Sequence, residues 1–142
     1  MPQMIFVNLP VTDLARSTAF YEAIGAVKNP MFSDETASGM ALSDTIFLML
    51  LTHPKFQSFT TRTIPDAHKT AQVFLALSKD SRADVDTSVA KAAGAGGIAD
   101  PNPSQDLGFM YGRSYADPDG HIWEVFWMDP AVAAGAPPDM AK

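Results

Sequence analysis

The sequence predicts an α+β domain made of two copies of a β-α-β-β-β unit, on three observations. The order strand, helix and three extended pieces occurs twice along the chain. The copies align by count: Phe6 lies seven positions before the capping residue Asp13 and Phe74 seven before Ser81, while Ile46-Phe47-Leu48-Met49 matches Ile122-Trp123-Glu124-Val125. The length of 142 residues, 46% hydrophobic and 18% charged, suits one domain that buries a core of its own. A repeat of this kind predicts ligand chemistry where the two copies face each other.

Each element has a local reason. Gln3 to Leu9 is rich in β-formers and ends before Pro10, which cannot donate to a ladder. Thr12 or Asp13 caps a helix in which Leu14, Tyr21 and Ile24 recur at helical spacing, and Gly25 stops it. Extended pieces follow over 26–32, 39–43 and 45–52, with Ser43-Asp44 as a tight turn. In the second half, Gln72 to Ser78 reads as a strand. Asp80 or Ser81 caps a helix with Val85, Val89, Ala92 and Ala93 on its apolar face, and Gly94 ends it. Further strands run near 97–100, 109–116 and 121–128, the last two joined by the turn Pro118-Asp119-Gly120. The domain therefore spans 1–130, with modules at about 3–52 and 72–128, a loop over 53–71, and a flexible tail over 131–142.

Composition excludes several functions. Ten basic against sixteen acidic residues give a net charge of −6, which repels polyphosphate and argues against nucleic-acid binding. The longest apolar run, Ile46 to Leu51, is far short of the ~20 residues of a membrane span. No basic segment precedes the first apolar stretch, so a cytoplasmic protein without a membrane partner is expected. The absence of cysteine removes disulfides, thiolate metal sites and cysteine nucleophiles. Neither a Gly-x-Ser-x-Gly elbow nor a phosphate-binding glycine loop is present, since Gly94-Ala95-Gly96-Gly97 follows a helix instead of opening one.

Two segments carry a family signature. Val11-Thr12-Asp13-Leu14-Ala15-Arg16-Ser17-Thr18-Ala19-Phe20-Tyr21-Glu22-Ala23-Ile24-Gly25 resembles the opening helix of the vicinal oxygen chelate superfamily. Asp117-Pro118-Asp119-Gly120-His121-Ile122-Trp123-Glu124-Val125 resembles its closing turn and last strand. That superfamily includes glyoxalase I, extradiol dioxygenases, and fosfomycin- and bleomycin-resistance proteins. The resemblance covers residues 3 to 128 and implies paired modules curled into an incomplete barrel around a cleft, commonly in a homodimer. In metal-dependent relatives, the first and last strands of each module supply histidine or carboxylate ligands to a divalent ion that binds two neighbouring substrate oxygens.

Those ligand positions correspond here to Phe6, Leu48, Phe74 and Glu124. Three of the four side chains offer no donor, so no metal and no cofactor are expected. Among the histidines, His53 and His68 fall in the inter-module loop. His121 lies three residues from Glu124, on the opposite face by alternation. Glu124 reads in two ways: as a general acid or base in a cleft, or as a retained carboxylate that hydrogen-bonds a neighbour. Alternation places Asn8 with Phe6 and Gln72 with Phe74, looking into the cleft. Tyr111, Arg113 and Tyr115 share one face of the penultimate strand. They either line the cleft, where an arginine between phenols suits an anionic group, or face outward with Arg113 paired to an acid. Trp123, Val125 and Trp127 alternate against Glu124 and belong to the core. Phe56 and Phe59 either cap a ligand or fold over the barrel mouth.

The expected function is metal-independent binding of a small, partly apolar organic molecule by a homodimer. The alternatives are an enzyme, either a glyoxalase-like lyase or isomerase or an extradiol-type dioxygenase dependent on a metal or on Glu124, and an interaction module that uses its sheets only to dimerise.

Overall fold

Asp13 sets the start of the first helix: its carboxylate accepts the Arg16 amide at 3.1 Å, and Gly25 takes φ +110° just past the end. Ser81 caps the second long helix in the same way, accepting the Asp84 amide at 3.0 Å. In the computed structural model, which describes residues 2–135, the order is β1 (Ile5–Val11), α1 (Leu14–Ala23), β2 (Val27–Asn29), β3 (Ala37–Ala41), β4 (Ile46–Thr52), α2 (His53–Gln57), β5 (Leu75–Ser78), α3 (Arg82–Gly94), β6 (Ile98–Ala99), β7 (Gln105–Asp106), β8 (Met110–Ala116), β9 (Ile122–Met128) and α4 (Pro130–Ala133).

The strands form two sheets. The first has the order β1-β4-β3-β2, the second β5-β9-β8-β6 with β7 also paired to β8. In each, the module's first strand runs parallel to its last and lies at the sheet edge. The sheets do not hydrogen-bond to each other, so the barrel stays open.

The predicted elements are present, with shifted ends. Pro10 does not stop β1, because an edge strand tolerates a missing donor on its unpaired side and the ladder continues to Val11 opposite Thr52. The strand expected from Gln72 starts only at Leu75. There it pairs with Trp123 of its parallel partner β9. Residues 30–32 turn into a 3-10 helix after Asn29, whose Oδ1 caps the Met31 amide. The Ser43 turn is wider than a two-residue hairpin, and the Ser43 hydroxyl accepts from the Thr45 and Ile46 amides. The tail expected from residue 131 opens within α4, and residues 136–142 lie outside the described residues.

One core serves both modules. Phe20 and Tyr21 of α1 are fully buried with Met40, Leu48 and Leu50 of the first sheet, Val85 and Val89 of α3, and Trp123 and Val125 of β9. Tyr21 ties the halves together: its hydroxyl donates to Asp117 Oδ2 at 2.6 Å and accepts from Trp123 Nε1 at 2.9 Å. Gly97 lets the chain pass beneath α1, since a Cβ there would meet the Phe20 ring at 2.7 Å and the Ala116 carbonyl at 2.5 Å. Each large buried side chain contributes about 1.5–3 kcal/mol, so the shared core is the main cohesion between modules. Both long helices occupy one side of the sheets, and the opposite faces carry neither of them.

Candidate functional site

Strand parity decides what the open faces display. On β1, Leu9 and Val11 point into the core, so Phe6 and Asn8 lie on the open face. On β4, Leu48 and Leu50 are in the core, so the open-face residues are Phe47, Met49 and Leu51. On β9, Trp123 and Val125 are buried, and Glu124 and Phe126 take the open face, as alternation predicts. The β8–β9 register sets Ser114 opposite Glu124 and Gly112 opposite Phe126, on that same side.

The residues expected to line one cleft therefore separate. Leu48 is fully buried beneath the helices, because the aligned tetrapeptides are offset by one pleat and the open-face neighbour of Asn8 is Met49. Tyr111, Arg113 and Tyr115 face the helices: Arg113 lies opposite the buried Val125, and Tyr115 packs in the core at 2% exposure beside Phe20. The Tyr111 hydroxyl donates to Asp86 of α3 at 2.7 Å. The Arg113 guanidinium donates to Asp86 at 3.0 Å and to both oxygens of Asp100, at 3.0 and 2.7 Å. The paired arginine of the second reading is present, but the face it sits on packs against α3 and the core instead of pointing outward. These bonds hold the Asp86 and Asp100 carboxyls below the usual range and raise the Arg113 pKa further.

Several hollows open on the remaining surface. The first, about 290 Å³, lies on the open face of the second sheet around Glu124, with Met110, Gly112, Phe126 and Met128 as neighbours and Pro103 and Gln105 at its rim. Asn102 donates its Nδ2 to Glu124 Oε2 at 3.3 Å, and the Ser114 hydroxyl holds the Asn102 backbone. The second, about 480 Å³, runs between the modules and brings together Asn8 and Gln72 with Phe56, Val73, Leu75 and Ile122. Phe56 of α2 and Phe59 just after it line a further hollow of about 370 Å³ with Asn8 and Leu51, where a plain loop was expected. Phe6 and Phe74 border none of these hollows. Each is about half exposed, at 52% and 53%, and Phe6 stacks on Phe47 at 4.9 Å.

The third hollow collects every histidine of the chain, His53, His68 and His121, with Arg16 and Asp66. His68 and His121 bond through Nε2 to the carbonyls of Pro118 (3.2 Å) and Pro10 (2.8 Å), so both rings donate there and anchor loop to turn and turn to β1.

Phe126 and Met128 could have been found by extending the alternation from Glu124. Met110, Gly112, Ser114 and Asn102 could not, because their place depends on the β8–β9 register and on a loop. Solved structures of other proteins resemble this one over most of the chain. A hypothetical protein of S. aureus, SA1046, is 27% identical with a TM-score of 0.74, covering 89% of this chain and 94% of that one. A glyoxalase/bleomycin resistance protein/dioxygenase family enzyme from Burkholderia phytofirmans PsJN is 17% identical with a TM-score of 0.73, over 89% and 99%. The chain has the vicinal oxygen chelate fold. Fosfomycin resistance protein FosX from Mesorhizobium loti shares it at 15% identity and a TM-score of 0.67, over 95% and 99% of the two chains. No family model and no curated protein matches the sequence.

The resemblance implies a divalent ion held from the first and last strands of each module. The side chains here do not fit such an ion. Glu124 gives one carboxylate, Phe6 and Phe74 give no donor, and β4 presents the soft thioether of Met49. Among the described residues, no three His, Cys, Asp or Glu side chains converge. No described helix is long and apolar enough to cross a membrane.

Proposed function

We propose that this chain binds a small, partly apolar organic molecule at the open faces of its sheets and does so without a metal ion. The observation that carries the reading is the donor set: at the four positions where the fold family keeps metal ligands, only Glu124 has a ligand-type side chain. Apolar walls beside isolated polar groups (Glu124 with Asn102, and Asn8 with Gln72) suit an organic ligand held by shape and a few hydrogen bonds. The reading predicts that protein purified without added metal contains no stoichiometric zinc, nickel, manganese or iron by elemental analysis. A chelator should leave ligand binding and melting temperature unchanged. One equivalent of tightly held ion, or a melting temperature lowered by chelation, ends it.

The protein is further proposed to act as a homodimer. Ile5, Phe6, Val73 and Phe74 are all more than half exposed, on the edge strand of the first sheet and on the segment leading into that of the second. Covering such residues with a second copy removes apolar area from water; sedimentation equilibrium at micromolar concentration tests it. A catalytic reading, a lyase, isomerase or dioxygenase dependent on Glu124, has one supporting contact, the Asn102 bond that holds the carboxylate at the hollow. Turnover of any substrate that survives Glu124→Gln would remove that role.

A further inference from the structure

The hollow around Glu124 has an unbalanced charge. Met110, Phe126 and Met128 supply apolar and aromatic wall, and Gly112 contributes no side chain to fill the space. Glu124 is the only acidic side chain lining it. One of its oxygens accepts the 3.3 Å bond from Asn102, and no Lys, Arg or His among the described residues pairs with it. The nearest strand's cation, Arg113, borders the hollow but spends its guanidinium on Asp86 and Asp100. An anionic ligand would therefore meet a carboxylate with nothing to offset the repulsion, in a protein whose net charge is already −6. A ring and two thioethers around one carboxylate are, by contrast, a favourable surround for a cationic nitrogen.

We propose that this hollow takes a compact ligand with a protonated amine or amidine head and an apolar body, the head pairing with Glu124 and the body lying on Met110, Phe126 and Met128. The proposal rests on the small-molecule reading above and adds the sign of the ligand's charge. Three probes of similar size test it: phenethylammonium, phenethyl alcohol and phenylacetate, each titrated into the full chain while the methyl resonances of Met110 and Met128 are followed. Phenethylammonium should bind at least about tenfold more tightly than the alcohol, and phenylacetate should move neither signal. Glu124→Gln should reduce the ammonium's affinity to that of the alcohol, whereas Glu22→Gln, an equal change of net charge on exposed α1 surface, should not. Gly112→Leu, which fills the hollow and leaves Glu124 in place, should abolish the response, so the result does not hang on one variant's folding. Equal binding of all three probes, or an ammonium response untouched by Glu124→Gln or Gly112→Leu, overturns the charge assignment and leaves small-molecule binding standing. Silence of both methyl signals toward all three probes overturns the assignment of a ligand to this hollow and leaves the one at Asn8 and Gln72 standing.

Discussion

Asp117 and Asp119 flank one residue of the same turn yet stand in opposite electrostatic settings. Asp119 reaches across to the first module, accepting from the Thr12 amide and hydroxyl at 2.9 and 2.8 Å and from Ser17 Oγ at 3.0 Å, with Arg16 nearby. Asp117 is fully buried, and burial pushes its carboxyl pKa up against the lowering effects of His121 and of the Tyr21 hydrogen bond. The sign follows from linkage. A carboxyl whose folded pKa is raised contributes stability below its unfolded value, near 3.8, and loses that contribution as pH rises through the folded value. Asp34, Asp86, Asp100 and Asp106, the last held at about 2 by its Arg82 partner, run the other way and lose their contribution as pH falls. Asp117→Asn should therefore change the pH slope selectively. From pH 4 upward, the wild type should lose unfolding free energy relative to the variant, as read by urea denaturation at several pH values; parallel curves would contradict the burial account.

At the scale of elements, the helix-facing side of the second sheet carries, beside its buried rings, a network of ion pairs. Arg82 of α3 pairs both nitrogens with Asp106 and lies over the Tyr111 and Trp127 rings at 5.1 and 5.2 Å, next to the Asp86–Arg113–Asp100 chain. This lattice fastens α3 and the β6–β7 loop to β8. It also secures Asp100 at φ +54°, a left-handed value that costs a non-glycine residue energy, two positions before the Asn102 that meets Glu124. On β4 the parity runs the same way, with Leu48 inside. Leu48→Ala should cost about 2–5 kcal/mol of stability by chemical denaturation, as a core truncation does, while any ligand affinity stays within about twofold. A large affinity loss with intact stability would return Leu48 to the ligand face.

For the molecule as a whole, the modules repeat in sequence but do not stand alone. Tyr21 and Phe20 belong to the first module and find their partners, Trp123, Asp117 and Tyr115, in the second. Three inter-module bonds to Asp119 and the His121–Pro10 bond add to this. A fragment of residues 1–70 should therefore lack cooperative unfolding and near-ultraviolet dichroism, since its largest buried rings would face water. A folded fragment with a sharp thermal transition would show that each module carries its own core.

The repeated strand and helix order, each helix start to within one residue, the turn at Gly120 and the core role of Trp123 and Val125 were determined by the sequence alone, because each depends on neighbours a few residues away: a hydroxyl or carboxylate reaching an amide, a glycine at positive φ, an alternation of pleats; the short elements α2, β7 and α4 were not. Which side of β8 faces the helices was not determined there. Tyr111, Arg113 and Tyr115 share a face by alternation, but the side that face takes is set by pairing with β9 and by Asp86 arriving from α3. Leu48 likewise turns inward because β4 pairs with β1 one pleat away from where the repeat alignment sets it. Strand parity is local and register is not, so the sequence gives the residues of each face while the tertiary pairing gives the faces their direction.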